Sequence, residues 1–434
     1  MSSQDHKVSS NLSAPFRGTG GEAIILAGGL GTRLKEAVPD VPKCMAPVAG
    51  RPFLAYVIDA FRLQGVHRFV FSLGYKAEVI EDYLAKQYPT LHYTTVIEQE
   101  PLGTGGAIQL ALQQCHTKDV LVANGDTLFK VNVAALEQVH SRNGAECTLA
   151  LKPMEQFDRY GVVEMNAQGA IVSFKEKQFY DQGLINGGVY LINKDRFLQH
   201  SFPQKFSFEK DYLEKYVAQQ PLYGSIQEGY FIDIGIPADY QKAQKDLQRP
   251  ALNLKEIDSS WTLFLDRDGV INDERLGEYV LNWEQFIFSN GVLKAFQLLT
   301  QQFGRIFIIS NQRGVGKALM TEADLQAIHK EMLKEVESVG GKVEQIYYCI
   351  EKDDKYFHRK PNPGMAVQAF SDYPDIDPNK SIMVGNKPSD MRFGRAAGIY
   401  TVFLTTTNPD EPFPQRDVDL RFSSLLEFAM AVQS

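Results

Sequence analysis

Trp261–Asp273 reads WTLFLDRDGVIND, and the division of the chain follows from it. Leu263, Phe264 and Leu265 form a short apolar run of the kind that makes a buried strand. The run ends on two carboxylates two residues apart, Asp266 and Asp268, with Gly269 next. In a parallel α/β sheet the reactive groups sit in the crevice beyond the carboxyl ends of the strands. An Asp-x-Asp-Gly at that place can bind a divalent cation and offer one carboxylate for attack on phosphorus. Taken alone, the same residues also make an ordinary Asp-rich turn. Position favours the first reading, because enough chain for a complete domain precedes the motif and a second domain begins with it.

The length of 434 residues fits two or three domains, at roughly 150 residues each. With 44% hydrophobic residues the chain can bury sizeable cores. A net charge of −8 argues against general nucleic-acid binding and gives no attraction to anionic membranes. No apolar run approaches the ~18 residues of a membrane span. Residues 1–21 are polar, lack the apolar core of a secretory signal, and read as a disordered leader. Cys44, Cys115, Cys147 and Cys349 are scattered without CxxC pairing. That pattern fits a reducing, cytoplasmic setting and gives neither a disulfide framework nor a zinc knuckle.

The first domain is expected over 22–247. Ala23–Ala27 is an apolar strand that runs into Gly28, Gly29, Leu30, Gly31, Thr32 and Arg33. Glycines so spaced let a backbone approach a ligand and present N–H groups to phosphate. Arg33 adds a forked cation. No Gly-Lys-Ser/Thr follows, and the glycine spacing is not that of a dinucleotide fingerprint. Lys43 comes ten residues later, in VPKCMAPV, where Pro42 and Pro47 stiffen the chain.

LAGGLGTRL followed by VPKCMAPVAGRPFL resembles the signature of the sugar-1-phosphate nucleotidylyltransferases, and within them the heptose-1-phosphate guanylyltransferases. The resemblance spans roughly Glu22 to Leu247. It implies that Gly28, Gly29, Gly31 and Thr32 wrap a nucleoside triphosphate, GTP, while Arg33 and Lys43 stabilise the pyrophosphate leaving group. It implies that a second glycine-rich helix start, with Gly103 and Thr104 after Gln99, reads the nucleobase. On the sugar side it assigns Glu176 and Asn186 to hydroxyls and Lys177 to the sugar phosphate. Read without the family, Glu176 and Lys177 are a solvated charge pair.

Asn124, Gly125 and Asp126 end a buried strand, Val120–Ala123, and Asp233 lies in the later segment Tyr230–Gly235. Mg²⁺ takes one or two carboxylates plus substrate phosphate and keeps several waters. Asp126 and Asp233, each at the end of an apolar strand, meet that demand. Elsewhere in the domain Phe53, Leu54, Val57, Ile58 and Phe61 fall on one face of a helix.

Gln248–Ser260 breaks periodicity and reads as a linker, 248–260. In the second domain, 261–434, a strand Arg305–Ile309 ends on Ser310 and Asn311. Gln312–Lys317, with Arg313, reads as a flexible basic loop. Arg359 and Lys360 precede a helix, and Ile382–Gly385 leads to Asn386 and Asp390. The order Asp-x-Asp-Gly, Ser-Asn, Lys-Pro and Gly-Asn-x-x-x-Asp resembles the haloacid-dehalogenase-like phosphatases, in the branch of the heptose-bisphosphate and histidinol-phosphate phosphatases. The fold class expected is therefore α/β in both halves: a Rossmann-like mixed sheet, then a parallel sheet.

This second resemblance implies Asp266 as nucleophile and Asp268 as general acid, then base. Ser310 and Lys360 would hold the transferring phosphoryl, with Asn311, Arg313 and Arg359 at the substrate. Mg²⁺ would bind Asp266, the Asp268 carbonyl and Asn386. Relatives carry Asp at the last position; Asn still offers a carbonyl oxygen, and Asp390 can supply the missing charge. A Cys/His zinc loop found in many relatives is reduced here to Cys349, so no zinc is expected. His358 then reads as a surface or substrate-loop residue. Together the two resemblances imply a bifunctional enzyme of GDP-D-glycero-α-D-manno-heptose synthesis, with GTP and heptose phosphates as partners. The alternatives are the same chemistries on a mannose- or glucose-type sugar phosphate, or a second domain without catalysis. The oligomeric state stays open, a homo-oligomer included.

Overall fold

A computed structural model of the chain describes residues 21–29, 38, 41–275 and 277–433. Its described residues fall into two compact units that divide between Arg249 and Pro250.

The first unit is a seven-stranded mixed sheet. Its order is Leu222–Ile226, Cys147–Phe157, Tyr180–Asn193, Asp119–Asn124, Glu22–Ala27, Arg68–Leu73, His92–Ile97. Glu22–Ala27 runs parallel to both neighbours, and Tyr180–Asn193 runs antiparallel to both of its own. Ala23, Ile24 and Ile25 are fully buried, as a central strand covered on both faces requires. Phe53–Arg62 is a helix whose Phe53, Leu54, Val57, Ile58 and Phe61 are buried. A two-stranded ribbon pairs Thr127–Phe129 with Phe231–Asp233, setting Asp233 opposite Thr127. That register brings Asp233 next to Asp126 although 107 positions separate them in the chain. A hairpin around Gln168 and Gly169 pairs Val163–Met165 with Ile171–Phe174.

The second unit has six parallel strands in the order Gln345–Cys349, Arg305–Asn311, Thr262–Leu265, Ser381–Gly385, Tyr400–Leu404, Leu420–Phe422. Thr262–Leu265 lies inside the sheet. Leu263, Phe264 and Leu265 are fully buried, at about 1.5–3 kcal/mol each relative to exposure. Burial therefore sets where Asp266 lies. Glu322–Ser338 is a helix opened by a capping box between Thr321 and Asp324. The chain from Pro250 belongs to this unit: Leu254–Glu256 is one 3₁₀ turn, and Ile257 and Trp261 join the core.

Two expectations are corrected. The loop expected at Gln312–Lys317 contains a helical turn, Arg313–Gly316. It is tightly seated, since a Cβ on Gly316 would stand 2.1 Å from the Ile350 carbonyl. His358 is buried, at 4% exposure, not a surface residue.

Candidate active sites

In the first unit Asp126 follows the strand Asp119–Asn124 through Gly125. Lys43 opens a 3₁₀ turn, Lys43–Met45, behind Pro42. Its Nζ donates to Asp126 Oδ2 at 2.6 Å and to Asp233 Oδ1 at 3.2 Å. The Gly235 N–H donates to the same Asp233 oxygen at 2.8 Å. Burial works against the Lys43 charge, but Asp126 and Asp233 outweigh it and raise its pKa. Two carboxylates from distant segments thus converge on one cation.

Beside them Gly28 is packed so closely that a Cβ would stand 2.7 Å from Glu98 Oε1. Glu98 also accepts from the Leu102 N–H at 2.9 Å and from Ser72 Oγ at 3.4 Å. Sequence reasoning passed over this carboxylate; its place at a strand end, just before Gln99 and a glycine-rich helix, was the available signal. Gly29 has nothing within 4 Å of a built Cβ. Gly31, Thr32 and Arg33 lie outside the described residues.

The remaining residues expected in this site are dispersed. Gln99 is exposed. Gly103 starts a helix at φ +72°, with the Phe206 carbonyl 2.5 Å from where its Cβ would be. The Thr104 hydroxyl donates to Glu209 Oε2 at 2.7 Å and accepts from the Phe208 N–H at 2.9 Å, so it ties down the segment at 207–209. Asn186 accepts from the Gly188 N–H at 3.0 Å and donates to Tyr190 Oη at 2.9 Å, at a break in strand register. Glu176 and Lys177 are exposed at the end of the hairpin.

The second unit gathers more of its expected residues. Asp266 follows the central strand, and its N–H donates to the Val384 carbonyl at 3.0 Å. Lys360 is buried, with Nζ 2.8 Å from Asp266 Oδ1, 2.7 Å from Asp390 Oδ1 and 3.0 Å from the Ile309 carbonyl. Asn311 holds the Lys360 backbone from both sides: its Oδ1 accepts from the Lys360 N–H and its Nδ2 donates to the Lys360 carbonyl. Ser310 is fully buried, and its Oγ accepts from Gln312 Nε2 at 2.6 Å. Gln312 also donates to Asp268 Oδ2 at 3.0 Å. Arg313 and Arg359 both donate to Asp354 Oδ1, at 2.7 and 2.8 Å.

Electrostatics set the two acids of the Asp-x-Asp apart. Burial, then the nearby Asp390, push the Asp266 carboxyl up despite Lys360. Burial also opposes the Asp268 charge, but Arg267, Asn272 and Gln312 together hold that carboxyl below its ordinary value.

For a cation, the donor set fits. Asn386 is fully buried; its Nδ2 donates to Glu274 Oε2 at 2.8 Å and to Thr407 Oγ1 at 2.7 Å, while its Oδ1 accepts no hydrogen bond. A buried oxygen left so is a destabilising feature that a cation would satisfy. Among the described residues no group of three or more His, Cys, Asp or Glu is arranged to hold a metal. Mg²⁺ does not need one, because substrate phosphates and waters complete its shell. Among the described residues no helix is long and apolar enough to cross a membrane.

Residues 264–427 match the Polynucleotide kinase 3 phosphatase family model, and residues 22–249 match the Nucleotidyl transferase model. A D-glycero-alpha-D-manno-heptose 1-phosphate guanylyltransferase of Aneurinibacillus thermoaerophilus is 49% identical over 227 residues, 52% of this chain and 98% of that one. The enzyme of the same name from Campylobacter jejuni is 43% identical over 219 residues, 50% of this chain and 96% of its own. The crystal structure of HddC from Yersinia pseudotuberculosis is similar at 36% identity and a TM-score of 0.48, covering 52% of this chain and 99% of that one. With the Nucleotidyl transferase model spanning more than half of its length, the chain belongs to that family and carries, behind that domain, a second domain matching a phosphatase family.

Proposed function

We propose that the chain catalyses two steps toward GDP-D-glycero-α-D-manno-heptose. The second domain removes the 7-phosphate of heptose 1,7-bisphosphate. The first couples the resulting heptose 1-phosphate to GTP.

In the phosphatase step an Asp266 oxygen attacks phosphorus while the bond to the sugar oxygen breaks. The leaving oxygen takes a proton from Asp268. Asp268 then removes a proton from water, which attacks the aspartyl-phosphate and frees phosphate and Asp266. Ser310 and Lys360 bind the phosphoryl oxygens. In the protein alone Asp266 is the carboxyl pushed up and Asp268 the one held down, the reverse of what attack and proton donation need. Asp266, the Asp268 carbonyl and Asn386, with Asp390 for charge, would hold Mg²⁺, which when bound would favour ionised Asp266 and neutralise charge on the phosphoryl oxygens.

In the transferase step a phosphate oxygen of the sugar 1-phosphate attacks the α-phosphorus of GTP, and pyrophosphate departs. Arg33 and Lys43 take up the charge that develops on it. Asp126 and Asp233 are the residues for Mg²⁺ in this unit. Glu98, an acceptor beside the Gly28 loop, suits the N–H edge of guanine.

The observation that carries this reading is the convergence of Asp266, Asp390 and Lys360 at the tips of a parallel sheet, in a chain whose other half is so similar to heptose 1-phosphate guanylyltransferases. Incubation with heptose 1,7-bisphosphate, GTP and Mg²⁺ should yield phosphate, pyrophosphate and GDP-heptose. Equal use of mannose 1-phosphate or another nucleotide would replace the heptose or guanine assignment. No phosphate release would leave the second domain without catalysis.

A further inference from the structure

Arg267 is the residue between the two acids, and it is 1% exposed. Its guanidinium grips Asp268 with Nη2 2.9 Å from Oδ1 and 3.0 Å from Oδ2, and with Nε 3.3 Å from Oδ1. Its other arm, Nη1, faces His329 Nε2 at 3.3 Å. His329 belongs to the helix Glu322–Ser338, on a face otherwise made of Leu325, Ile328, Met332, Leu333 and Val336. It is fully buried against the ring of Tyr348, with centroids 5.6 Å apart.

A histidine in an apolar stripe is commonly a core residue with satisfied nitrogens. This one is not satisfied. A guanidinium only donates, so Nε2 must accept and the proton must lie on Nδ1. That Nδ1 is buried without a hydrogen-bond partner. Burial and the Arg267 charge hold the imidazole neutral, its pKa pushed down to about 3. The helix therefore tolerates an unsatisfied N–H, and what it gains is an acceptor for one arm of Arg267.

We propose that His329 is a positioning residue of the phosphatase step: by accepting from Arg267 Nη1 it fixes the guanidinium that aims the Asp268 carboxylate at the leaving oxygen and at the attacking water. The inference rests on the phosphatase reading. It assigns a task to two side chains, neither of which touches substrate.

The test uses the full chain with Mg²⁺ and two variants. His329→Leu removes the acceptor, and His329→Gln can restore one through Oε1. The Leu variant should lose about 10- to 100-fold in kcat on the sugar bisphosphate with KM within about twofold, the usual scale for a partner one shell out. The Gln variant should recover most of that loss. First-turnover release of nitrophenolate from p-nitrophenyl phosphate, which needs no proton donor, should be spared within about threefold. A Leu variant that keeps its kcat overturns the proposal. So does equal loss in both variants with a shared fall in melting temperature, the mark of a merely structural residue. If the unaltered protein hydrolyses no phosphomonoester, the phosphatase reading fails by itself. ¹⁵N-histidine NMR then decides the contact: Nε2 unprotonated at His329, moving in Arg267→Lys, supports it, and Nε2 protonated overturns it.

Discussion

Lys43 Nζ lies 2.6 Å from Asp126 Oδ2 and reaches Asp233 on its other side. The second unit repeats the device, with Lys360 Nζ between Asp266 and Asp390. In each unit a lysine beside a proline, Pro42 or Pro361, neutralises two acids drawn from distant segments. Carboxylates held this close repel unless a cation lies between them. On the reading proposed above, the acids that hold each ammonium would equally hold a divalent ion beside the substrate phosphate.

Removing the first of these lysines tests that equivalence. Lys43→Ala leaves Asp126 and Asp233 facing each other without a counter-charge. Mg²⁺ should then raise the melting temperature of the first unit more in the variant than in the unaltered chain, by mass action on a site left unneutralised. Pyrophosphate release should fall on the order of 10²-fold, the scale for losing one donor to a developing anion. Melting curves with and without Mg²⁺ give the first result. A variant indifferent to Mg²⁺ would exclude the Asp126–Asp233 pair as a metal site.

The two chemistries should separate by mutation. Asp266→Asn removes the attacking oxygen's charge and should cut phosphate release on the order of 10³-fold or more. It should spare GDP-heptose formation from heptose 1-phosphate. Asp126→Ala should do the reverse. Parallel assays of phosphate and pyrophosphate decide it, and a variant that abolishes both products would contradict independent sites.

The place of Asp266 at a strand end was legible because its strand is short, apolar over Leu263–Leu265 and cut off by acids, so burial and position are both written locally. Asp126 was legible for the same reason. Asp233 needed a ribbon register to reach its partner, and strand-end position alone suggested it. Glu274 and Gln312 were not legible. Glu274 meets Asn386 across 112 positions and Gln312 meets Asp268 across 44, contacts that neither periodicity nor spacing encodes. Arg267, the unassigned position of Asp-x-Asp-Gly, was not legible because its contact with His329 depends on a helix that begins at Glu322. The turn at Arg313–Gly316 was misread as a loop because its glycines serve close packing against Ile350 and Tyr279, not flexibility.

Asn386 is matched to Glu274, whose carboxylate it donates to at 2.8 Å and which also pairs with Lys387. Asn386→Asp would add a negative charge but would set it against Glu274. Like charges at that spacing disfavour ionisation of one of them. The single variant should therefore gain little Mg²⁺ affinity, and Asn386→Asp with Glu274→Gln should gain about tenfold or more, about 1.4 kcal/mol. Half-saturation of phosphate release by Mg²⁺ measures both arms of the double-mutant cycle. Additive effects would disprove the coupling.

Acid should weaken the second unit through His329. Burial first, and then the Arg267 charge, push its pKa down to about 3, against the smaller opposing pull of Asp268, and the Tyr348 ring covers it. Above pH ~6.5 the imidazole is neutral folded or unfolded and contributes no pH dependence. Below that, the unfolded chain takes up a proton that the fold refuses. The His329 share of the stability should fall by about 1.4 kcal/mol per pH unit, about 2 kcal/mol by pH 5, while Asp266, its carboxyl pushed up by burial and Asp390, takes up a proton in the fold over the same range and opposes that loss. Asp268, held below its ordinary value, adds to the loss only below about pH 4. Both tryptophans, Trp261 and Trp283, belong to this unit, so their fluorescence in urea titrations at pH 7 and pH 5 follows it selectively. Measured against His329→Gln, the unaltered chain should lose about 2 kcal/mol between the two pH values, because the Asp266 contribution is common to both. Equal changes in the two proteins would assign the acid sensitivity to groups other than His329.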